Sequence, residues 1–255
     1  MSVEPVPDAP AAVASLGNER ALVVADYHAG IEYTLQRDGV ELDDRADGRR
    51  RRLLGLLAET DPDRLVVLGD LLSSIGEPQG PERAELTALL EAVSVPTMLV
   101  KGNHDGDIGH ALADLGVGDE VTVTDSSGIR LGPVGFAHGH TWPDADVLGA
   151  DTVCIGHEHP LVRLTDEVGG GRLERTWLRG SLDPTPFAEH GTETGGENTG
   201  TGTDLVVFPA FNNRSGGTRV NDPDRGFLAP FLPAGLSGGQ AYLLDGTRLG
   251  PYEQV

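Results

Sequence analysis

Five short apolar runs mark the first two thirds of the chain, and each stops at a polar side chain. Residues 21–25 end in Asp26, 65–68 in Gly69-Asp70, and 97–100 in Lys101-Gly102-Asn103-His104. Residues 134–137 end in His138, and 152–155 in Gly156-His157. Apolarity is continuous rather than alternating, rich in β-branched residues and bounded by turn formers. That pattern predicts strands covered on both faces. Between the runs the period changes. Residues 51–59 place Leu53, Leu54, Leu56 and Leu57 on one side. Residues 81–93 carry a proline in the first turn and Leu86, Leu89, Leu90 and Val93 at helix spacing. Strands alternating with helices predict a layered α/β fold.

The later chain reads differently. Residues 120–131, with Val121, Val123, Ile129 and Leu131 around a Ser126-Ser127-Gly128 turn, predict a hairpin. Residues 172–178, 205–208 and 241–244 add strands without clear helices between them, so a second sheet packed on the first is expected. Residues 1–19 read as an irregular polar lead to a single domain over 20–255. The Gly/Thr/Glu-rich stretch 188–203 reads as a flexible surface insertion.

Each strand-end motif is weak alone. An Asp after a strand is ordinarily a turn or cap residue, and a lone His a surface or packed one. Five strands ending alike are another matter, because ligands of α/β sheets bind at the carboxyl ends of strands. Asp and Asn offer hard oxygen, His borderline nitrogen, and no thiolate is present. This set suits Mn, Fe, Zn or Co rather than Ca. Seven donors exceed one tetrahedral site and suffice for two metals.

The order Asp26-x-His28, Gly69-Asp70, Gly102-Asn103-His104-Asp105, His138, Gly156-His157-x-His159 resembles the calcineurin-like metallophosphoesterases. Residues 29–32, 156–160, 209–212 and 216–221 look like the ICC-like branch, which includes ligase-associated phosphoesterases. The resemblance implies a four-layer α/β/β/α sandwich with two packed mixed sheets. It implies a hydrolase acting on phosphate esters, diesters first, with two divalent ions, Mn first and Fe, Zn or Co as alternatives. Asp26, His28 and His159 would hold one ion and Asn103, His138 and His157 the other, with Asp70 bridging. Water between the ions would be the nucleophile. His104, if protonated, a form that acidic surroundings favour, would assist the leaving group, with Asp105 orienting it. A nuclease acting with a DNA ligase or helicase is an alternative, and an inactive metal-binding scaffold is one of another class. Ser73 stands where several relatives have Asp or His, Tyr27 where a smaller residue is common, and His140 competes with His138 as a ligand.

Composition alters this picture at few points. Of 255 residues 38% are hydrophobic, too many for an acidic disordered chain. The net charge is −21, and Lys101 is the only lysine, a style that resembles the proteins of salt-loving organisms. In such a cell the Debye length falls to about 3 Å at 1 M salt, so the acidic surface does not exclude a nucleic-acid partner. No run approaches the ~18 apolar residues of a membrane span. The first ten residues lack the basic segment of a signal peptide, and Cys154 is alone. A cytoplasmic protein is expected. Arg49 to Arg52 read as a solvated helix face set against Glu41, Asp43, Asp44 and Asp47, with phosphate contact as the alternative. Trp142, Trp177 and Cys154 read as packing residues.

Overall fold

A computed structural model describes residues 2–118, 120–166, 169–192 and 202–255. The first sheet contains β1 (Val3–Pro5), β2 (Ala11–Ser15), β3 (Arg20–Val24), β4 (Arg64–Val67), β5 (Thr97–Val100) and β6 (Val121–Thr124), side by side in that order. Strands β1 to β3 are antiparallel, and β3 to β6 run parallel. The second sheet contains β7 (Ile129–Leu131), β8 (Val134–Ala137), β9 (Thr152–Ile155), β10 (Leu161–Thr165), β11 (Gly171–Leu182), β12 (Asp204–Val207), β13 (Leu236–Leu243) and β14 (Arg248–Pro251). Its order is β14-β13-β11-β12-β9-β8-β7, with β10 beside β11, and β8, β9 and β12 are parallel. Helices α1 (Ile31–Arg37), α2 (Ala46–Thr60), α3 (Gly80–Ala92) and α4 (Ile108–Leu115) accompany the first sheet. Helices α5 (Ala145–Leu148) and α6 (Thr185–His190) accompany the second.

The unbroken apolar runs are explained by three stacked cores. Leu22, Val24, Leu65, Val67 and Leu99 face Leu53, Leu56, Leu86 and Leu89 of the helices. Their alternates Ala21, Val23, Val66, Met98 and Val100 face Phe136, Cys154, Trp177, Val206 and Phe208 between the sheets. Val153, Ile155, Leu205 and Val207 meet Phe187 and Phe231 on the far side. Strands buried on both faces have no polar side to show. This is the mixed α/β sandwich of two packed sheets that was expected. Because β3, β4, β5, β8 and β9 are parallel within their sheets, their carboxyl ends gather at one edge.

Three expectations are corrected. Residues 1–19 are not irregular: β1 and β2 extend the first sheet, burying Val3, Ala12 and Ala14 between the sheets. Alanines and three prolines hid the signal, since alanine has weak strand preference and proline is confined to edges, where Pro5 sits. The hairpin over 120–131 does not form. β6 pairs with β5 in the first sheet and β7 with β8 in the second, so the serine-glycine turn carries the chain between sheets. A turn signal fixes a reversal in the chain but not which strands pair. Of the insertion 188–203, residues 188–190 end α6, and 193–201 lie outside the described residues.

Trp177 and Cys154 are buried between the sheets as expected. Trp142 packs on Phe187 and Phe231 and stacks on His190 at 4.1 Å. Among the described residues, no helix is long and apolar enough to cross a membrane. A chain beginning at residue 17 would lose two paired strands and expose the inter-sheet core. Its melting temperature, read by calorimetry, is expected to fall by about 10 °C or more.

Candidate functional site: a convergence of imidazoles and carboxylates

The gathered strand ends bring the predicted side chains into one place. Asp26, His28 and His159 present ligand atoms within 4.8 Å of one another, and so do Asp70, His138 and His157. Each group draws on both sheets, because Asp26, His28 and Asp70 follow β3 and β4 while His138, His157 and His159 follow β8 and β9. Asp70 lies between the groups: its Oδ2 is 3.5 Å from His138 Nε2, 3.9 Å from His104 Nε2 and 4.0 Å from His28 Nε2. Asn103 Oδ1 is 3.1 Å from His138 Nε2. His140 belongs to neither group.

The backbone bends sharply to allow this. Asp26, His28, Asp70, His157 and His159 all have positive φ, between 44° and 67°. Non-glycine residues in this region cost about 1–3 kcal/mol each and cluster where function requires them. Gly102 has no room for a side chain, because a Cβ would run into Asp70.

Four imidazoles are oriented alike. His28 Nδ1 meets Leu72 O at 3.2 Å, His104 Nδ1 meets Ser73 O at 2.7 Å, His138 Nδ1 meets Leu68 O at 2.7 Å and His159 Nδ1 meets Gly216 O at 2.8 Å. A carbonyl only accepts, so each Nδ1 donates its proton and each neutral ring offers a lone pair at Nε2. His28 Nε2 and His159 Nε2 then face each other at 3.3 Å. His159 Nε2 also lies 3.2 Å from Asp26 Oδ1. Acceptors aimed at one another are unfavourable unless positive charge lies between them, and imidazoles locked through Nδ1 to carbonyls are the usual metal-ligating form. The donor set fits two divalent cations.

Protonation follows the same logic. Burial, with His159 and His104 nearby, holds His28 down at about 4 against the pull of Asp26 and Asp70. Burial and the charge of His138 hold His157 down at about 4. Burial disfavours charge on His138 too, but Asp70 and Asp26 outweigh it and lift the ring to about 9. His159 is likewise raised, with Asp26 overcoming burial. Asp26 and Asp70 fall below the usual carboxylate range, as the neighbouring imidazoles outweigh burial.

A cavity of about 430 Å³ opens onto these groups, lined by Asn103, His104 and Gly216 to Thr218, with Arg225 at its wall. The family model for calcineurin-like phosphoesterase matches residues 19–161.

The chain belongs to the calcineurin-like phosphoesterases.

The crystal structure of the Pseudomonas putida nuclease MPE has a similar fold, with a TM-score of 0.54 at 20% identity over 95% of this chain and 97% of that one. Yfce, a phosphoesterase from E. coli, matches at 13% identity and a TM-score of 0.38, over 90% of this chain and 96% of its own. No curated protein matches the chain in sequence.

In this calcineurin-like phosphoesterase Asp105 does not orient His104. It is wholly buried and accepts the N–H of Gly102 at 2.9 Å and of Leu72 at 3.1 Å, tying two ligand loops together. Burial and the charge of Asp70 raise its carboxyl to about 6. The Ser73 backbone carbonyl takes the orienting role.

Arg49 is also corrected. It is buried and forked onto Glu32 at 2.9 and 3.0 Å and Glu85 at 2.8 and 2.9 Å. Glu85 accepts the Gly30 N–H at 2.7 Å, just past His28. Charge alternation around residue 49 resembled a solvated face, and nothing local marked the two distant glutamates.

Asn212 and Glu158 lie in the branch-like segments 209–212 and 156–160 and hold the site's loops together. Asn212 donates to Tyr27 O at 3.2 Å, and its own N–H reaches Asp26 O. Glu158, wholly buried, accepts from Thr218 Oγ and from the N–H groups of Leu228 and Ala229 at 2.6–2.8 Å. It fixes the far wall of the cavity.

Two outcomes follow. Cation binding at the group that contains His138 must displace the proton of that ring. Its apparent affinity should therefore fall by about tenfold per pH unit below about 9, with proton release seen by calorimetry in buffers of different ionisation enthalpy. Arg49→Ala would leave two buried carboxylates unpaired. It should cost about 3–5 kcal/mol in urea unfolding, and Arg50→Ala, at a half-buried surface pair with Asp47, should cost under about 1 kcal/mol.

Proposed function

We propose that the chain is a phosphoesterase with a two-metal centre, acting first on phosphodiesters and belonging to the ICC-like branch. The observation that supports it most directly is the facing of Nε2 lone pairs and carboxylates from both sheets beneath an open cavity. Asp26, His28 and His159 would hold one divalent ion, Asn103, His138 and His157 the other, and Asp70 both. Mixed imidazole, carboxylate and amide donors favour Mn, with Fe, Zn and Co as alternatives. When bound, the pair supplies Lewis acidity, lowering the pKa of water and offsetting phosphate charge.

The remaining work falls to the chain. His104 projects into the cavity with Nδ1–H fixed on the Ser73 carbonyl. That bond is kept when the ring carries a second proton. The protonated ring can therefore hold a proton at Nε2 and deliver it to the departing oxygen. Arg225, largely exposed at the wall and 4.0 Å from Asp222, is placed to meet an outer phosphate oxygen. Asp105, Asn212 and Glu158 keep the ligand loops in register.

Nucleic acid is the favoured diester. The neighbour MPE is a nuclease by description, and the cavity is open-sided. A DNA ligase or helicase as partner belongs to the same proposal through the branch resemblance. The test is hydrolysis of bis(p-nitrophenyl) phosphate and p-nitrophenyl phosphate by Mn²⁺-loaded protein. His104→Ala should lower diester turnover by about 10²–10⁴-fold with metal content unchanged, whereas Asp70→Ala should lose metal and activity together. Hydrolysis of neither probe by the loaded wild type would overturn the proposal.

A further inference from the structure

A second cavity, of about 350 Å³, lies between the first half of α2 and the loop after β12. Arg51, Arg52, Phe211, Asn212 and Asn213 help to line it. The guanidinium groups in and around it are unusual for this chain. Acids outnumber bases 40 to 19, yet among the described residues no carboxylate pairs with Arg51, Arg52, Arg175 or Arg214. Arg51 donates to Asp47 O, Arg52 to Asp8 O and Arg175 to Ala210 O, all backbone carbonyls. The acids on the rim are engaged elsewhere: Asp47 pairs with Arg50, and Asp44 caps Ala46 N–H. Burial lowers Arg52 from its usual value. Burial and then the charge of Arg52 lower Arg175 to about 10. Asp44 and Asp47 also line the cavity, but cations with no carboxylate in contact raise the local potential in an otherwise negative molecule.

The cavity is tied to the metal site by two routes. One is a stack of side chains. Arg49 lies 5.4 Å from the Tyr27 ring, Tyr27 and Phe211 stack at 5.8 Å, and Arg52 lies 5.9 Å from the Phe211 ring. Tyr27 stands between the ligands Asp26 and His28. Arg49 at one end is neutralised by glutamates, and Arg52 at the other is not. The second route is the chain itself. Asn213 lines the cationic cavity and Gly216 the metal cavity. Three residues reach no further than about 11 Å. The two residues between are Arg214 and Ser215, and Arg214 Nε and Ser215 Oγ are buried with no partner. Their backbone N–H groups are pinned to Asn212 Oδ1 at 2.6 and 3.3 Å. Unpaired buried polar groups in the short segment that joins two cavities can be satisfied by a ligand that supplies acceptors.

We propose that this arginine-lined cavity, with Arg214 and Ser215, binds a backbone phosphate of a nucleic-acid strand whose scissile phosphate occupies the metal cavity. The inference rests on the phosphodiesterase reading above. Phe211 is buried against Tyr27, so the site reads phosphate and not base, and contact there is independent of sequence. An acid-rich protein thereby holds a polyanion through a short local track while the rest of its surface stays negative.

The test uses the full-length Mn²⁺-loaded protein and two probes, a fluorescein-labelled single-stranded thymidine decamer and bis(p-nitrophenyl) phosphate. Variants are R51E at an exposed position, R52Q and R214Q. The KM for the decamer should rise at least tenfold in R51E and R52Q, with kcat and KM for the small diester unchanged within twofold. The slope of log affinity against log salt should flatten by about 0.7 for each phosphate contact removed. An unchanged decamer KM, or an equal loss on both probes, would overturn the proposal. So would loss of inorganic phosphate binding in R51E with decamer binding intact, which marks a free-anion site. If the wild type cleaves neither probe, the phosphoesterase reading fails by itself, and decamer anisotropy still decides. Binding weakened by R51E then supports the track, and binding unaffected by R51E overturns it.

Discussion

Four imidazoles commit their Nδ1 protons to backbone carbonyls, and the architecture of the carboxyl edge depends on that commitment. Three of the carbonyls, from Leu68, Leu72 and Ser73, belong to the turn that carries Asp70. One short segment thus provides a carboxylate at the centre and the acceptors that aim His28, His104 and His138 at it. The rings have no freedom to turn away and relieve the repulsion among their lone pairs. A site so built is complete only with positive charge inside it. In the free protein the carboxylates of Asp70 and Asp26 draw protons to the site, lifting His138 to about 9 and His159 in the same direction.

The rest of the fold keeps this arrangement from relaxing. Each candidate metal group takes residues from both sheets, so the inter-sheet core of Trp177, Phe208 and Phe136 sets the distance between its halves. On the outer side of the first sheet, Arg49 gathers Glu32 and Glu85, and Glu85 and Glu82 reach the backbone after His28 and around Ser73. The helices reach the ligand loops through buried ion pairs, where packing alone would allow small displacements. Breaking a buried pair leaves an uncompensated charge, so the network is stiff as well as stabilising.

The strand ends and their order were legible because continuous apolar runs and terminal polar residues are local signals. The candidate donors followed from them, and the geometry brings six of them into two groups of three, with Asn103 beside His138 and His104 near Asp70. What local signals could not convey was partnership. Asp105 stands next to His104 in sequence, but its carboxylate turns to Gly102 and Leu72, since backbone donors on its own loop are closer than a ring held by Ser73. Arg49 sits in a run of four arginines that looks uniform, and only the third dimension separates the buried member from its neighbours. The first fifteen residues were misread because alanine carries little strand signal, although β-pairing needs only a register. The strand signals at 121 and 129 were sound, but their assignment to one sheet was not.

The left-handed backbone at Asp26, His28, Asp70, His157 and His159 has a consequence for how such a chain is maintained. At each of these positions glycine would be the relaxed residue. A drift to glycine there would ease the fold while emptying the site. Stability and function therefore pull in opposite directions at the same five codons, and folding alone gives no reason to retain the residues found there. Their joint presence in one chain reflects selection for what the side chains do together. A lineage released from that selection would lose this edge of the molecule first and its cores last.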